Sequence, residues 1–324
     1  MSSSARLDLS KPRYDQSTFE GRAKHFFVTT NPLNVLISDA DLDRAAKIVR
    51  DYEKGEEDKS LTEDEIWKAK EQYDSAYHCQ TGEKLFLPGR MSFQVPGNMC
   101  ITGCMMTFYK SAPAVIFWQS ANQGFNAVVN YTNRNASVPV SNEQLGTAAL
   151  GATSAGVITA LSFNKLIASY PALQAGIVGR LVPLLAVAAA NCVNIPMMRQ
   201  QEITHGISIS LEDGTEVGKS GNAAKAAIGQ VIPSRIGMAI PGMFIPPAVM
   251  MMLEKTKMYI KNPWLKAPST VLLTGMALTF STPLCCAFFP QTATIQAKDL
   301  EKPLQTELAA KYPGRTHYYY NKGL

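Results

Sequence analysis

Acidic side chains are missing from most of the apolar part of this chain. Five windows, near 96–118, 145–170, 173–195, 226–253 and 268–290, hold no aspartate or glutamate, and the first acid after the fourth is Glu254. Bases are rare there too: Lys110, Lys165, Arg180 and Arg235 are the only ones well inside. An apolar run of roughly 20 residues is long enough to cross the hydrocarbon core of a bilayer, and an ion placed in that core loses its hydration. The mean hydropathy of −0.05 hides this pattern, because it averages a polar front and an apolar remainder.

Other absences narrow the function. The first thirty residues have no apolar signal segment, and Asp8, Asp15 and Glu20 among Arg6, Lys11 and Arg13 disagree with a cleaved mitochondrial presequence, so targeting information is expected to be internal. The six cysteines form no disulfide framework: Cys100 and Cys104 are one turn apart, Cys192 stands alone, and Cys285 and Cys286 are adjacent. They read as small packing residues, and since His78 and His205 lie outside the windows, no metal and no cofactor is expected. There is no glycine-rich phosphate loop after a strand, no nucleophile elbow and no histidine motif for a membrane di-iron site, which argues against an enzyme. The net charge of +5 is dispersed, so no nucleic acid partner is expected.

What is present predicts an all-α multi-pass membrane protein. About five transmembrane helices, interrupted by prolines, make a membrane domain over 95–290. A helical extramembrane region over 1–94 precedes it and a tail over 291–324 follows. In the front region, Ser38 or Asp39 caps a helix with Leu42, Ala45, Val49 and Tyr52 on one face, stopped at Lys54-Gly55. Thr62 and Glu65 form a capping-box pattern ahead of Ile66, Ala69, Tyr73 and Tyr77. So few apolar residues make no sizeable core of their own, and the region is expected to dock on the membrane domain. Segment 119–142 is too polar to cross and reads as an interfacial helix. Loop 199–224 alternates on both sides of Asp213-Gly214, as a short β-hairpin does.

Five spans place the termini on opposite faces. The basic residues then divide evenly, Lys84, Arg90, Lys255, Lys257, Lys261 and Lys266 against Arg134, Arg199, Lys219, Lys225, Lys298 and Lys302, so orientation stays open. A weak echo joins Thr102–Phe108 and Thr274–Phe280, and three spans between them predict that those two helices run in the same direction.

Candidate site residues cluster at the end of the third window. Asn191-Cys192-Val193-Asn194-Ile195-Pro196 closes an apolar run from Leu181, and an asparagine in hydrocarbon must find a partner while Pro196 withholds an amide hydrogen. Pro233, Pro241, Pro246 and Pro247 in the fourth window predict either a discontinuous helix of transporter type or a kinked structural one. Asn122, Asn126, Asn130 and Asn133 recur at helical spacing, as a solvated face or as an amide-lined vestibule. A small zwitterion needs a cation or helix N-terminus for its carboxylate and oxygens for its ammonium. Asn191 and Asn194 are expected to hydrogen-bond the substrate, Arg180 or Arg235 to take its carboxylate, and Pro196 and Pro241 to break or gate the helices. With no acid in the windows, facilitated passage or exchange is simpler than a proton relay.

Several longer motifs carry a family likeness: Tyr73-Asp74-Ser75-Ala76-Tyr77-His78, Thr81-Gly82-Glu83-Lys84, Gly89-Arg90-Met91-Ser92, Phe125-Asn126 with Asn130-Tyr131-Thr132-Asn133, Ala190 through Arg199, and the closing Asn321-Lys322-Gly323-Leu324. On these the chain resembles the sideroflexins along essentially its whole length. The resemblance implies a multi-pass protein of the mitochondrial inner membrane, linked to serine transport that feeds one-carbon metabolism. It also carries associations with iron and haem handling. Other members look like assembly factors, so the alternative is a membrane scaffold for respiratory-chain or iron/haem metabolism with mitochondrial membrane-protein partners. The chain departs from the family at Cys79-Gln80, where Pro-Asp is usual, and at Trp118-Gln119-Ser120, where a second tryptophan is typical.

Overall fold

The computed structural model describes every residue except 1–5, 10, 57, 59, 79–80, 134–140, 171–175, 289, 291 and 323–324. The Cys79-Gln80 departure, the start of the third window and the closing Gly323-Leu324 lie outside the described residues. Thirteen α-helices and one four-stranded antiparallel sheet make up the described fold. The chain is a mostly helical membrane protein.

Two helices of the front region start at the caps the sequence predicts, and a further helix precedes them. Helix α1 (Phe19–Thr29) precedes α2 (Asp39–Lys54) and α3 (Glu63–Ala76). Ser38 accepts from Asp41 N at the start of α2, Gly55 closes it at φ 82°, and Thr62 and Glu65 form the capping box of α3. Leu9, Ala45, Val49, Tyr52, Ile66 and Ala69 form one small core between α2 and α3. The conspicuous motifs that follow are fasteners. The Tyr77 hydroxyl donates to Asp43 at 2.7 Å, Lys84 lies 2.7 Å from the same carboxylate and 3.2 Å from Asp39, and buried Arg90 donates to Leu85 O at 3.0 Å. Together they tie the start of α2 to the segment entering the membrane domain.

Six helices form that domain: α4 (Gln94–Phe108), α5 (Ala112–Thr132), α6 (Asn142–Ala168), α8 (Val182–Met198), α10 (Gly221–Leu253) and α12 (Lys266–Phe288). Each packs on its chain neighbours, and α12 returns to α4, so the six close into a ring. The first window is therefore two helices rather than one. Ser111 accepts from Ala114 N and Pro113 stands at the first turn of α5, which is the signature of a helix start. The hydropathy of the window runs through this reversal and concealed it. Segment 119–142 is likewise not a separate interfacial helix; its first half is the body of α5.

An extra reversal changes the topology. A Cβ on Gly103 would meet Val271 Cα at 2.7 Å and one on Gly275 would meet Met99 Sδ at 2.6 Å, so α4 and α12 run antiparallel, not in the common direction predicted from the count of five spans. Both terminal regions lie at one end of the ring, where α4 begins and α12 ends. Arg22 of α1 donates to Ala287 O at 2.8 Å, and Phe19 meets Phe288 edge-on. Three segments, Asn142–Ala168, Gly221–Leu253 and Pro263–Phe288, are long and apolar enough to cross a membrane, while α8 is a shorter apolar helix. At 15 residues, α4 spans only about 22 Å.

The predicted hairpin, β1 (Ile207–Ser210) and β2 (Glu216–Ser220), does not stand alone. β3 (Thr292–Gln296) and β4 (His317–Asn321) from the tail complete the sheet in the order β2-β1-β4-β3. Helix α13 (Lys302–Lys311) and the first turns of α10 cover it through Leu308, Ile209, Tyr318, Ala223 and Ala227. Glu301 then caps α10, accepting from Asn222 N and Ser220 Oγ, both at 2.8 Å.

Candidate functional site

Helix α5 is inside out by the standards of a water-soluble protein. Its buried stripe is Val115, Gln119, Asn122 and Gln123, while Ile116 and Phe117 stand 48% and 60% exposed. Carboxamides inside and phenyl rings outside make sense only where the surroundings are less polar than the interior, as in lipid.

Beside this stripe, α6 and α8 present matching small faces. Ala148, Ala152, Gly156 and Ala160 meet Val182, Ala186, Ala190 and Asn194, each series repeating every four residues. Small side chains let two backbones approach closely in a membrane, so contact area replaces a hydrophobic driving force that lipid does not supply. A Cβ on Gly156 would stand 2.7 Å from Gln119 Oε1 and 3.3 Å from Ala186 O, so the glycine makes room for an amide of α5.

The result is a buried amide cluster. Asn194 Nδ2 donates to Gln123 Oε1 at 3.0 Å, and Gln119 Nε2 donates to the Tyr109 hydroxyl at 2.6 Å. Gln119 Oε1, Asn122 Nδ2 and Gln123 Nε2 are buried and meet no partner among the described residues. Leaving a buried polar atom unpaired costs about 1–3 kcal/mol, so three together in one cluster mark a place where a polar guest would be welcome.

Of the residues singled out in the sequence, Asn194 and Asn122 belong to this cluster. Asn191, Asn126 and Asn130 are only half-buried, with no side-chain hydrogen bond among the described residues. Gln119, Gln123 and Tyr109 were missed. For Gln119 and Gln123 the signal is their polar i, i+4 spacing, which a hydropathy window ending at Trp118 separates from the first span; Tyr109 carries no such signal.

The expected helix breaks are absent. Pro196 lies inside α8, which continues to Met198, and all four prolines of the fourth window lie inside the continuous 33-residue α10. Proline removes one amide donor and leaves a carbonyl free, yet neighbouring helices hold the rest of the ladder in register. Beyond Pro196, the carbonyls of Met197 and Met198 accept from Gln144 Nε2 at 3.3 and 3.1 Å.

The two arginines differ in kind. Arg180, at the end of the single-turn α7 (Ile177–Arg180), already holds a carboxylate from this chain: Nη1 and Nη2 donate to Glu254 Oε1 and Oε2 at 3.2 and 2.9 Å. That guanidinium keeps the Glu254 carboxyl below its usual range. Arg235 is half-buried on α10 and has no hydrogen bond or ion pair among the described residues.

Comparison with known proteins agrees with this picture. A protein-family model described as sideroflexins matches residues 8–324. Sideroflexin-1 of Ovis aries is 53% identical over 318 residues, covering 98% of each chain. Sideroflexin-1 of Homo sapiens and sideroflexin-3 of Mus musculus are each 52% identical over the same length and coverage. No solved structure matches the chain. A match of this extent, on a ring of helices with a polar interior, leaves one conclusion: the chain belongs to the sideroflexin family.

Proposed function

We propose that this protein carries small neutral amino acids, serine foremost, across the mitochondrial inner membrane and so supplies one-carbon metabolism. The observation that carries this reading is the set of three unpartnered amide atoms beside Asn194. A zwitterion answers each of them: its carboxylate accepts from Asn122 Nδ2 and Gln123 Nε2, and its ammonium or hydroxyl donates to Gln119 Oε1. Arg235, uncommitted on α10, attracts the carboxylate before it reaches the amides; Arg180 is occupied by Glu254 and serves closure instead. Pro196 and Pro241 act as flexible points in otherwise continuous helices, and Asn126, Asn130 and Asn191 line the approach. The one acid within the candidate spans, Glu143, stands in the first turn of α6 and not in mid-membrane where it could relay a proton, which favours facilitated passage or exchange.

The test is uptake of radiolabelled serine by proteoliposomes containing the full chain, with Asn194→Ala and empty liposomes alongside. Saturable uptake that falls about fivefold or more in the variant, at equal protein content, is expected, because the Asn194 hydrogen bond that holds Gln123 toward the carboxylate, worth about 1–3 kcal/mol, is lost. Absence of uptake by folded protein refutes the carrier. A scaffold is the second reading, favoured by exposed Leu33, Leu36 and Phe86 on the extramembrane front, and it predicts stable co-purifying mitochondrial membrane proteins instead.

A further inference from the structure

At the end of the ring opposite the sheet, the connection between α10 and α12 has an unusual composition. Residues 255–266 read Lys-Thr-Lys-Met-Tyr-Ile-Lys-Asn-Pro-Trp-Leu-Lys, four bases and no acid. Lys255, Lys257 and Lys261 are exposed, and no lysine of the four forms an ion pair among the described residues. Interleaved with them, Met258, Ile260 and Trp264 are 54%, 65% and 71% exposed. The connection is not loose. Tyr259 is buried with its hydroxyl 2.7 Å from Ser269 Oγ, the short helix α11 (Lys257–Lys261) precedes a 3-10 turn over Pro263–Leu265, and that turn packs on α12.

The topology places further bases at this end. Lys110 lies in the reversal between α4 and α5, Lys165 in the last turn of α6, and Arg180 after it. The one acid among them, Glu254, is taken by Arg180. The exposed apolar side chains of the connection continue the outward belt of the two helices they join, Met252 on α10 and Leu272 on α12. An apolar belt that ends in lysines and a tryptophan has the composition of a membrane–water boundary, where the ring of tryptophan and the stem of lysine each keep one end in hydrocarbon and one in water.

We infer that residues 255–266 form a lipid-binding collar that selects anionic phospholipid, the phosphates meeting Lys255, Lys257, Lys261 and Lys266 while Met258, Ile260 and Trp264 enter the acyl boundary. The occupant is the lipid headgroup rather than a soluble phosphate, because the phosphate-facing lysines and the inserting apolar residues alternate in one tethered segment. A soluble ion would use the first set and leave the second in water. The collar also fixes the position of the α10–α12 pair in the membrane, since Tyr259 ties it to the start of α12.

The experiment reconstitutes the full chain in vesicles of zwitterionic lipid doped with either brominated phosphatidylcholine or brominated phosphatidylglycerol. Quenching is read from Trp264, isolated as the difference between wild type and W264F. Each lysine at an anionic surface is worth about a fivefold preference, so two of the four acting together should enrich anionic lipid at Trp264 by about 25-fold at low ionic strength. The preference should shrink as salt rises. A variant with all four lysines changed to glutamine should lose the preference while keeping the quenching by brominated phosphatidylcholine, which shows that the segment still sits at the membrane. Equal quenching by both lipids in the wild type, or a preference that survives in the glutamine variant, overturns the assignment. So does no quenching by either, and so does loss of the preference when inorganic phosphate replaces chloride at constant ionic strength.

Discussion

Replacing Gly156 by alanine tests the amide cluster without touching any of its polar groups. The new Cβ would stand 2.7 Å from Gln119 Oε1, some 0.7 Å closer than the 3.4 Å where ordinary contact begins, and 3.3 Å from Ala186 O. The backbone contact needs a shift of only about a tenth of an ångström, so the side chain of Gln119 gives way. That side chain is fully buried and its Nε2 is held by Tyr109 at 2.6 Å, so moving the amide gives up this hydrogen bond. The loss of a buried hydrogen bond costs about 1–3 kcal/mol, and overfilling a close-packed contact adds about 1–3 kcal/mol. In a chain of this size 1 kcal/mol lowers the melting temperature by about 2 °C, so a fall of about 4–12 °C is expected in detergent. Serine uptake at a temperature where the variant remains folded should fall with it. A melting temperature within about 1 °C of wild type with uptake unchanged would refute the placement of Gln119 against Gly156, and with it the cluster.

Glycines with open space should behave in the opposite way. Gly229 in α10 has nothing within 4 Å of a built Cβ, so Gly229→Ala should stabilise by about 0.5–1 kcal/mol through helix propensity alone, read as a rise in melting temperature. Acid should weaken the junction of the sheet with α10. Burial alone would raise the Glu301 carboxyl, but hydrogen bonds from Asn222 and Ser220 outweigh it and leave it lowered. A carboxyl lowered in the fold contributes stability above its unfolded value, about 4.3, and loses it as pH falls through the folded one. Melting curves of the wild type should therefore drop more steeply than those of Glu301→Gln below about pH 4, and parallel curves would remove the cap from the account.

Much of this protein is decided within short stretches of its chain. The capping residues Ser38 and Thr62 and the stripe Leu42-Ala45-Val49-Tyr52 give α2 and α3 in place, because a cap and an amphipathic period are properties of one segment. The absence of acids gives the membrane class for the same reason, and the alternation around Asp213-Gly214 gives the hairpin. Tertiary structure decided the rest. Hydropathy averages over a turn, so the reversal at 109–111 vanished inside an apolar window, and with it the direction of α4 and the face on which the chain ends. Whether Asn122 faces solvent or interior depends on which helices stand beside α5. The partner of Asn194 is 71 residues away, that of Arg180 is 74 away, and the strand that completes the hairpin sheet meets β1 more than 100 residues later. Local preferences are set by each residue and its near neighbours, whereas these pairings exist only once the ring has closed and brought distant polar groups into the same dry interior.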